Sequence, residues 1–432
     1  MRAEPPTIFA KASGGGRAGV AVHRISGPRV ADVMSVLLGG KKLTPRYATR
    51  VFVRDRGGEP IDDGLALFFP SPHSFTGEDV LELQLHGSLA VEGRLNEELM
   101  ALGLEPAGAG AFTMRAFANG RLDLTEAEGL GALLEAETAL QHRQALAQLR
   151  GGLREKAEGW RRSLIAAMAA LEAAVDFPDE EGVPDGTIDQ AAIYVDRLRE
   201  EVDQLLVEAP KAKRLAQGVR IALIGPPNAG KSSLFNALLR ENRAIVSEVA
   251  GTTRDLVSAH LDIAGRKVEL IDSAGIRDAT DSLIEREGIE RARQAAEEAD
   301  FRILLYPATD GQPPDWLTAL QRPIDLLLRS KADIGHQPGF SVTRSEDVAA
   351  LLIELETRLD ELAVPGPAFT DRQVTLIAQF RRELDEIEPH LYPPEITSEL
   401  LRRASTCVES LTGRIATDDV LDDIFSAFCI GK

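Results

Sequence analysis

The sequence predicts a multidomain protein: an α+β domain in front, an all-α domain in two separated segments, and an α/β domain inserted between those segments. Three observations predict it. Strand-like runs punctuated by Gly and Pro fill the first 119 residues. An Ala/Leu/Glu/Arg texture with apolar residues at helical spacing begins near residue 120 and returns after Asp371. Between the two, from "VRIALIG" onward, strand-like and helix-like runs alternate. The boundaries read from these shifts are 1–119, 120–215, 216–370 and 371–432.

In the front segment, "GVAVHRIS", "DGLALFFP" and "EDVLELQLHG" read as strands. The helical texture follows, with Leu130, Leu133, Leu134 and Leu140 on one stripe. Thr125 and Glu128 have capping-box spacing, so the helix is expected to start there. "RGG" at 150–152 is expected to break or kink it, "DFPDEEGVPDG" to form a loop, and a further helix to run to about Glu208. The strands "VSAHLDI", "KVELID", "FRILLYP" and "PIDLLLRS" then suggest a parallel sheet.

Net charge is −19, which argues against broad, non-specific binding to nucleic acid. Residues 1–120 carry 13 basic and 13 acidic side chains, so the whole excess falls on residues 121–432, with 36 and 55. An RNA substrate would have to meet a local basic surface or a partner protein. Two cysteines, Cys407 and Cys429, make no disulfide framework and point to a reducing, cytoplasmic setting. No run of about 18 apolar residues is present, and the first residues lack signal-peptide character.

"GPPNAGKSS" follows a strand and opens a helix, the context in which G-x-x-x-x-G-K-[ST] acquires meaning. Loop N–H groups cradle phosphates in such a turn, Lys231 reaches the β- and γ-phosphates, and Ser232 ligates Mg²⁺. Downstream, "AGTTRD" supplies Thr252 and Thr253 as a switch. "DSAG" supplies Asp272 on the metal side and Gly275 near the γ-phosphate. Four ordered parts, the last being the base-recognition loop "SKAD", point to a GTPase. GTPases usually carry Asn-Lys-x-Asp there; Asp333 keeps the carboxylate for guanine, while Ser330 is expected to weaken the tie between this loop and the phosphate loop. No arginine finger is evident; taken by residue type alone, Asn228 is a turn residue, with cation binding beside the phosphates as the alternative.

The stretches "HRISGP", "SFTGEDVLELQLHG", "AFTMRAFANGRLDLTEAE", "GPPNAGKSSLFNAL", "AGTTRD", "DSAGIR", "IEREGIERA" and the terminal "FCIGK" resemble the MnmE (TrmE) family of tRNA-modifying GTPases over essentially the whole chain. The resemblance implies an α+β folate-binding and dimerisation domain, an all-α helical domain in two segments, and an inserted α/β P-loop, Ras-like GTPase domain. It implies a homodimer that works with the flavoprotein MnmG (GidA), which carries FAD. Together they add an aminomethyl or carboxymethylaminomethyl group to carbon 5 of the tRNA wobble uridine. A tetrahydrofolate derivative of the 5-formyl or 5,10-methylene type supplies the one-carbon unit.

The resemblance places folate on Arg24, Glu82, Arg121 and Lys432. It places GTP on Asn228, Ala229, Gly230, Lys231, Ser232, Ser233, Ser247, Val249, Thr252, Thr253, Asp272, Gly275, Ser330, Lys331 and Asp333. Mg²⁺ falls to Ser232 and Thr253. K⁺ falls to Asn228, Ser247, Val249 and Thr252, which reverses the residue-type reading of Asn228. Glu285 matches the residue that orients the attacking water, and Asn228 and Cys429 join it as candidate catalytic residues. Cys429 has three readings: a prenylation signal, which Gly431 and Lys432 argue against; a small buried hydrophobe; or a group folded toward the folate site. The principal alternative function is a regulatory or assembly GTPase without folate chemistry. A folate-dependent aminomethyltransferase acting on metabolites or protein is a third, made unlikely by the phosphate loop.

Overall fold

The computed structural model describes residues 5–176, 187–241, 243–244, 257–272, 294, 297–335, 338–363, 366 and 369–431. The chain forms two compact units, Met1–Gly131 with Val408–Lys432, and Ala132–Cys407.

The first unit is built on a six-stranded sheet in the order β3-β4-β5-β2-β1-β6. Its strands are β1 (Ile8–Lys11), β2 (Ala18–Ser26), β3 (Thr49–Arg54), β4 (Pro60–Phe69), β5 (Val80–Gly87) and β6 (Glu105–Pro106). Only β1 and β6 pair in parallel. Alternation along β5 sends Leu81, Leu83 and Leu85 into one core and leaves Glu82 and Gln84 on the other face. The leucine face is covered by α1 (Val30–Leu37) and α2 (Leu89–Ala101), through Val30, Val33, Leu37, Leu95 and Leu99. Truncating one of these leucines to alanine costs about 2–5 kcal/mol.

Helix α3 (Ala111–Ala118) leads into α4 (Leu124–Glu135). The last helix of the chain, α13 (Asp418–Ser426), joins this unit by packing Phe425 and Phe428 with Leu124, Ala127 and Phe117. Beyond it Ile430 bridges Ala109, and Gly431 (φ +94°) lies where a Cβ would stand 2.2 Å from the Lys11 carbonyl oxygen. The final residues are thus threaded against β1, and only glycine fits at 431.

The second unit combines helices with a sheet in the order β12-β11-β7-β10-β9-β8. The strands are β7 (Val219–Ile224), β8 (Arg243–Ala244), β9 (Val257–Ile263), β10 (Arg266–Asp272), β11 (Phe301–Pro307) and β12 (Leu326–Ser330). Four strands are parallel, but β9 pairs antiparallel with both of its neighbours, β10 and β8, which corrects the expectation of a parallel sheet throughout. The reason is the two-residue connection Ala264–Gly265, with φ of 51° and 79°. Such a connection is a hairpin and permits only antiparallel pairing. Helix α8 (Lys231–Glu241) follows β7, α9 (Asp315–Ala319) precedes β12, and α10 (Ser345–Leu362) follows it.

The helical part differs from expectation at three points. The cap before α4 is Asp123 with Glu126, not Thr125 with Glu128. Asp123 accepts from the Glu126 N–H at 2.8 Å and Glu126 returns to the Asp123 N–H at 2.8 Å. A second break, before the one at Gly151, separates α4 from α5 (Ala139–Leu149), where Thr138 and Gln141 form a further capping box. Helix α6 (Gly152–Asp176) follows, and the expected loop beyond it lies outside the described residues from Phe177 on. Helix α7 (Thr187–Gln217) continues through Pro210 instead of ending near Glu208. Its buried stripe of Val202, Leu205, Ala209, Ala212 and Leu215 carries across the proline and offsets the missing backbone bond.

The two separated helical segments meet in this unit. Arg199 of α7 donates to the carbonyls of Leu384 (2.8 Å) and Ile387 (2.7 Å), at the end of α11 (Asp371–Asp385). Arg381 pairs with Asp203 at 2.7 Å, and Trp160 stacks on Phe380 with ring centres 5.4 Å apart. Helix α12 (Pro394–Thr412) completes the set. No helix among the described residues is long and apolar enough to cross a membrane.

Candidate functional site

Strand β7 lies between β10 and β11 and delivers the loop 225–230 to the carboxyl end of the parallel strands. Gly225 passes so close to β11 that a Cβ would stand 2.2 Å from the Leu305 carbonyl oxygen. Asn228 and Gly230 both take positive φ, 59° and 90°, which curls the loop before α8 starts at Lys231. The result is a helix N-terminus behind a tight loop, a place that favours anions.

Lys231 is buried, and its ammonium donates to the carbonyls of Gly225 (2.8 Å) and Pro226 (2.9 Å). Burial pushes its pKa down, and the nearby Asp272 carboxylate acts in the opposite sense. Ser232 donates to Asp272 Oδ2 at 2.7 Å, which sets a hydroxyl and a buried carboxylate side by side at the end of β10. These are hard oxygen donors of the type Mg²⁺ takes.

The base-recognition loop starts at the end of β12. Ser330 is buried, and its hydroxyl donates to the Ala229 carbonyl at 2.6 Å and lies 3.1 Å from the Tyr306 carbonyl. This corrects the expectation that serine weakens the tie to the phosphate loop: the backbones stand close enough for the shorter side chain to span them. Lys331 takes a left-handed φ of 59°, turning the chain so that Asp333 faces Ser341. Ser341 Oγ donates to Asp333 Oδ1 at 2.6 Å, while its own N–H donates to Asp347 at 2.8 Å. The Ser341 bond holds the Asp333 carboxyl below its usual range, so the group is an acceptor at all ordinary pH. Sequence reading missed Ser341 and Asp347; no period or motif marks "FSVTRSED", and only the pairing of Phe340 with Arg329 and Ala332 brings it alongside.

In the first unit, β2 and β5 pair Arg24 directly with Glu82, and the guanidinium donates twice to Glu82 Oε1, at 3.0 and 2.8 Å. Phe75 and Phe112 lie with ring centres 5.5 and 5.7 Å from the Arg24 guanidinium carbon. Both aromatics were passed over in the sequence, although both stand inside the stretches that carry the family resemblance. Exposed Arg121 lies against Gly77, in the same 71–79 loop that carries Phe75. That loop is anchored by Glu78, which pairs with Arg115 at 2.9 Å and accepts from Ser26 at 2.7 Å.

Cys429 is exposed, which removes the reading of it as a buried hydrophobe. Ala229 is buried within the phosphate loop, and Ser233 is exposed on the first turn of α8. Ser247, Val249, Thr252, Thr253, Gly275, Glu285 and Lys432 lie outside the described residues.

The family model for the MnmE helical domain matches residues 124–429, and that for the GTP-binding protein TrmE N-terminus matches residues 7–121. The chain is 44% identical over 443 residues to the tRNA modification GTPase MnmE of Paramagnetospirillum magneticum, with 99% of each chain covered. It is 44% identical over 443 residues to the protein of that name from Rhizobium meliloti, again with 99% of each covered. The relative from Paracoccus denitrificans is 42% identical over 428 residues, 99% of this chain and 100% of that protein.

Proposed function

The chain belongs to the MnmE family of tRNA modification GTPases, and from that premise we propose that it binds GTP with Mg²⁺, hydrolyses it, and uses the cycle to modify the wobble uridine of tRNA. The observation that carries the reading is the join between two loops: Lys231 drawn across the phosphate loop, and Ser330 fastening the base loop to Ala229 of that same loop. A triphosphate along the α8 N-terminus would receive the loop N–H groups and the Lys231 ammonium, with guanine against Asp333. Ser232 and Asp272 supply oxygen atoms on the metal side. Mg²⁺, where bound, neutralises charge that builds on the transferring phosphoryl group.

The finer assignments follow the resemblance. Asn228, Ser247, Val249 and Thr252 would hold K⁺, Thr253 would complete the Mg²⁺ shell, and Glu285 would orient water. Arg24, Glu82, Arg121 and Lys432 would hold a tetrahydrofolate derivative. The support in the first unit is chemical: a carboxylate suits a pterin N–H edge, guanidinium groups suit glutamyl carboxylates, and Phe75 and Phe112 offer flat apolar surface. We read the active form as a cytoplasmic homodimer partnered by the flavoprotein MnmG. A four-part chain of 1–119, 120–215, 216–370 and 371–432 fits this division of labour.

The second reading, a switch without folate chemistry, would leave Arg24 and Glu82 as a structural ion pair at 2.8 Å. Titration with 5-formyltetrahydrofolate separates the two readings. The decisive experiment is mass spectrometry of wobble uridine in a strain lacking this protein. Complementation should restore the aminomethyl-type modification with the natural chain and fail with Lys231→Ala. Full modification in the deleted strain would end the proposal.

A further inference from the structure

The residue that departs from the usual GTPase base loop is the one whose proton is fully committed. An asparagine at position 330 would carry two amide protons and an acceptor oxygen; serine has a single proton. Here that proton lies between two acceptors, the Ala229 carbonyl at 2.6 Å and the Tyr306 carbonyl at 3.1 Å, in a site that is 4% exposed. Turning the hydroxyl toward a ligand would leave a buried carbonyl without its donor, which is unfavourable. Guanine presents donors at N1 and the 2-amino group and an acceptor at O6 along its Watson–Crick edge, and the acceptor N7 on the opposite edge. Asp333, ionised and buttressed by Ser341, can serve the donors alone.

Building on the reading of this site as a guanine-nucleotide site, we propose that the chain recognises guanine from its Watson–Crick edge, with Asp333 as the specificity-determining group and no donor from position 330 to N7. Ser330 is a positioning residue that joins the base loop to the phosphate loop. The consequence is a defined tolerance: purine nucleotides altered at position 7 are accepted, and those altered at position 2 are rejected.

The test uses the natural chain and a Ser330→Asn variant in nucleotide titration calorimetry with Mg²⁺ and K⁺ present. GDP and 7-deaza-GDP should bind within about twofold of each other, whereas IDP, which lacks the 2-amino group, should bind roughly ten- to a hundredfold more weakly for loss of a bond to a charged acceptor. Ser330→Asn should restore a leftover amide proton and bring a preference for GDP over 7-deaza-GDP of about two- to tenfold. That ratio would not move if residue 330 were merely structural. A penalty of about fivefold or more for 7-deaza-GDP on the natural chain overturns the proposal, as does equal binding of IDP and GDP. Failure of GDP itself to bind would instead overturn the nucleotide-site reading, and this inference with it.

Discussion

The phosphate-loop site and the Arg24–Glu82 site are both polar sites built on interior strands of a β-sheet, yet they are assembled in opposite ways. The first is local: residues 225–232 are contiguous, and the backbone itself lines the proposed phosphate site. Its cation is desolvated and donates to two neutral carbonyls, with the Asp272 carboxylate offsetting part of the burial, so a further anion improves its situation. The second is long-range: Arg24 and Glu82 are 58 positions apart and already neutralise one another. A ligand there must compete with or extend an existing pair. The difference teaches that one site awaits charge while the other has already balanced it.

The largest expected effect breaks the first site alone. Lys231→Ala removes a charge-assisted donor set, each such bond being worth about 1.5–3 kcal/mol, so guanine-nucleotide affinity should fall by about a hundredfold or more. Calorimetry with GDP checks this, and folate titration on the same variant should show no change. A loss of folate binding would mean that the two regions are coupled and do not bind independently.

A smaller effect is expected from the second site. Glu82→Ala leaves the half-buried Arg24 guanidinium without its carboxylate, between Phe75 and Phe112. The stability cost should be about 1–2 kcal/mol, between the limits for exposed and fully buried pairs. Affinity for 5-formyltetrahydrofolate should fall roughly ten- to a hundredfold, with GDP affinity within twofold of the natural chain. Thermal unfolding and the two titrations read these separately. Glu82→Gln, which keeps the shape and one acceptor oxygen, should recover most of the stability and little of the folate affinity.

What could be read from the sequence follows the same divide between local and long-range order. "VRIALIG" followed by "GPPNAGKSS" dictates strand, loop and helix within a few residues, so Lys231 and Ser232 stand where the letters place them. "FRILLYP" stands as β11 without shift, because an unbroken apolar run of that length suits a strand buried on both faces. The direction of β9 was set by a two-residue turn whose backbone conformation the pattern of apolar residues does not encode. The cap at Asp123 stands two positions before Thr125 because Asp123 with Glu126 and Thr125 with Glu128 offer the same capping-box spacing in overlapping registers. The pairing of Arg24 with Glu82 depends on strand order, and the support of Asp333 by Ser341 on a loop crossing; neither leaves a periodic trace. Only the resemblance brought Arg24 and Glu82 together in advance, and nothing brought Ser341.

The smallest effect sharpens the contrast through pH. Burial lowers the Lys231 pKa below its ordinary 10.5, so the unfolded chain holds that proton more tightly than the folded chain does. Between the lowered value and 10.5, stability should therefore rise with pH, because the unfolded state binds more protons there. Below that window the buried ammonium costs stability fully; above it the cost is gone. A bound nucleotide supplies the missing negative charge, raises the lysine pKa again, and should flatten or invert the slope. Unfolding temperatures of the natural chain and of Lys231→Met, each with and without GDP across that alkaline range, isolate the contribution by difference. A slope that is the same with and without GDP would show that the phosphates do not reach Lys231, and the two sites would then differ only in how they are built.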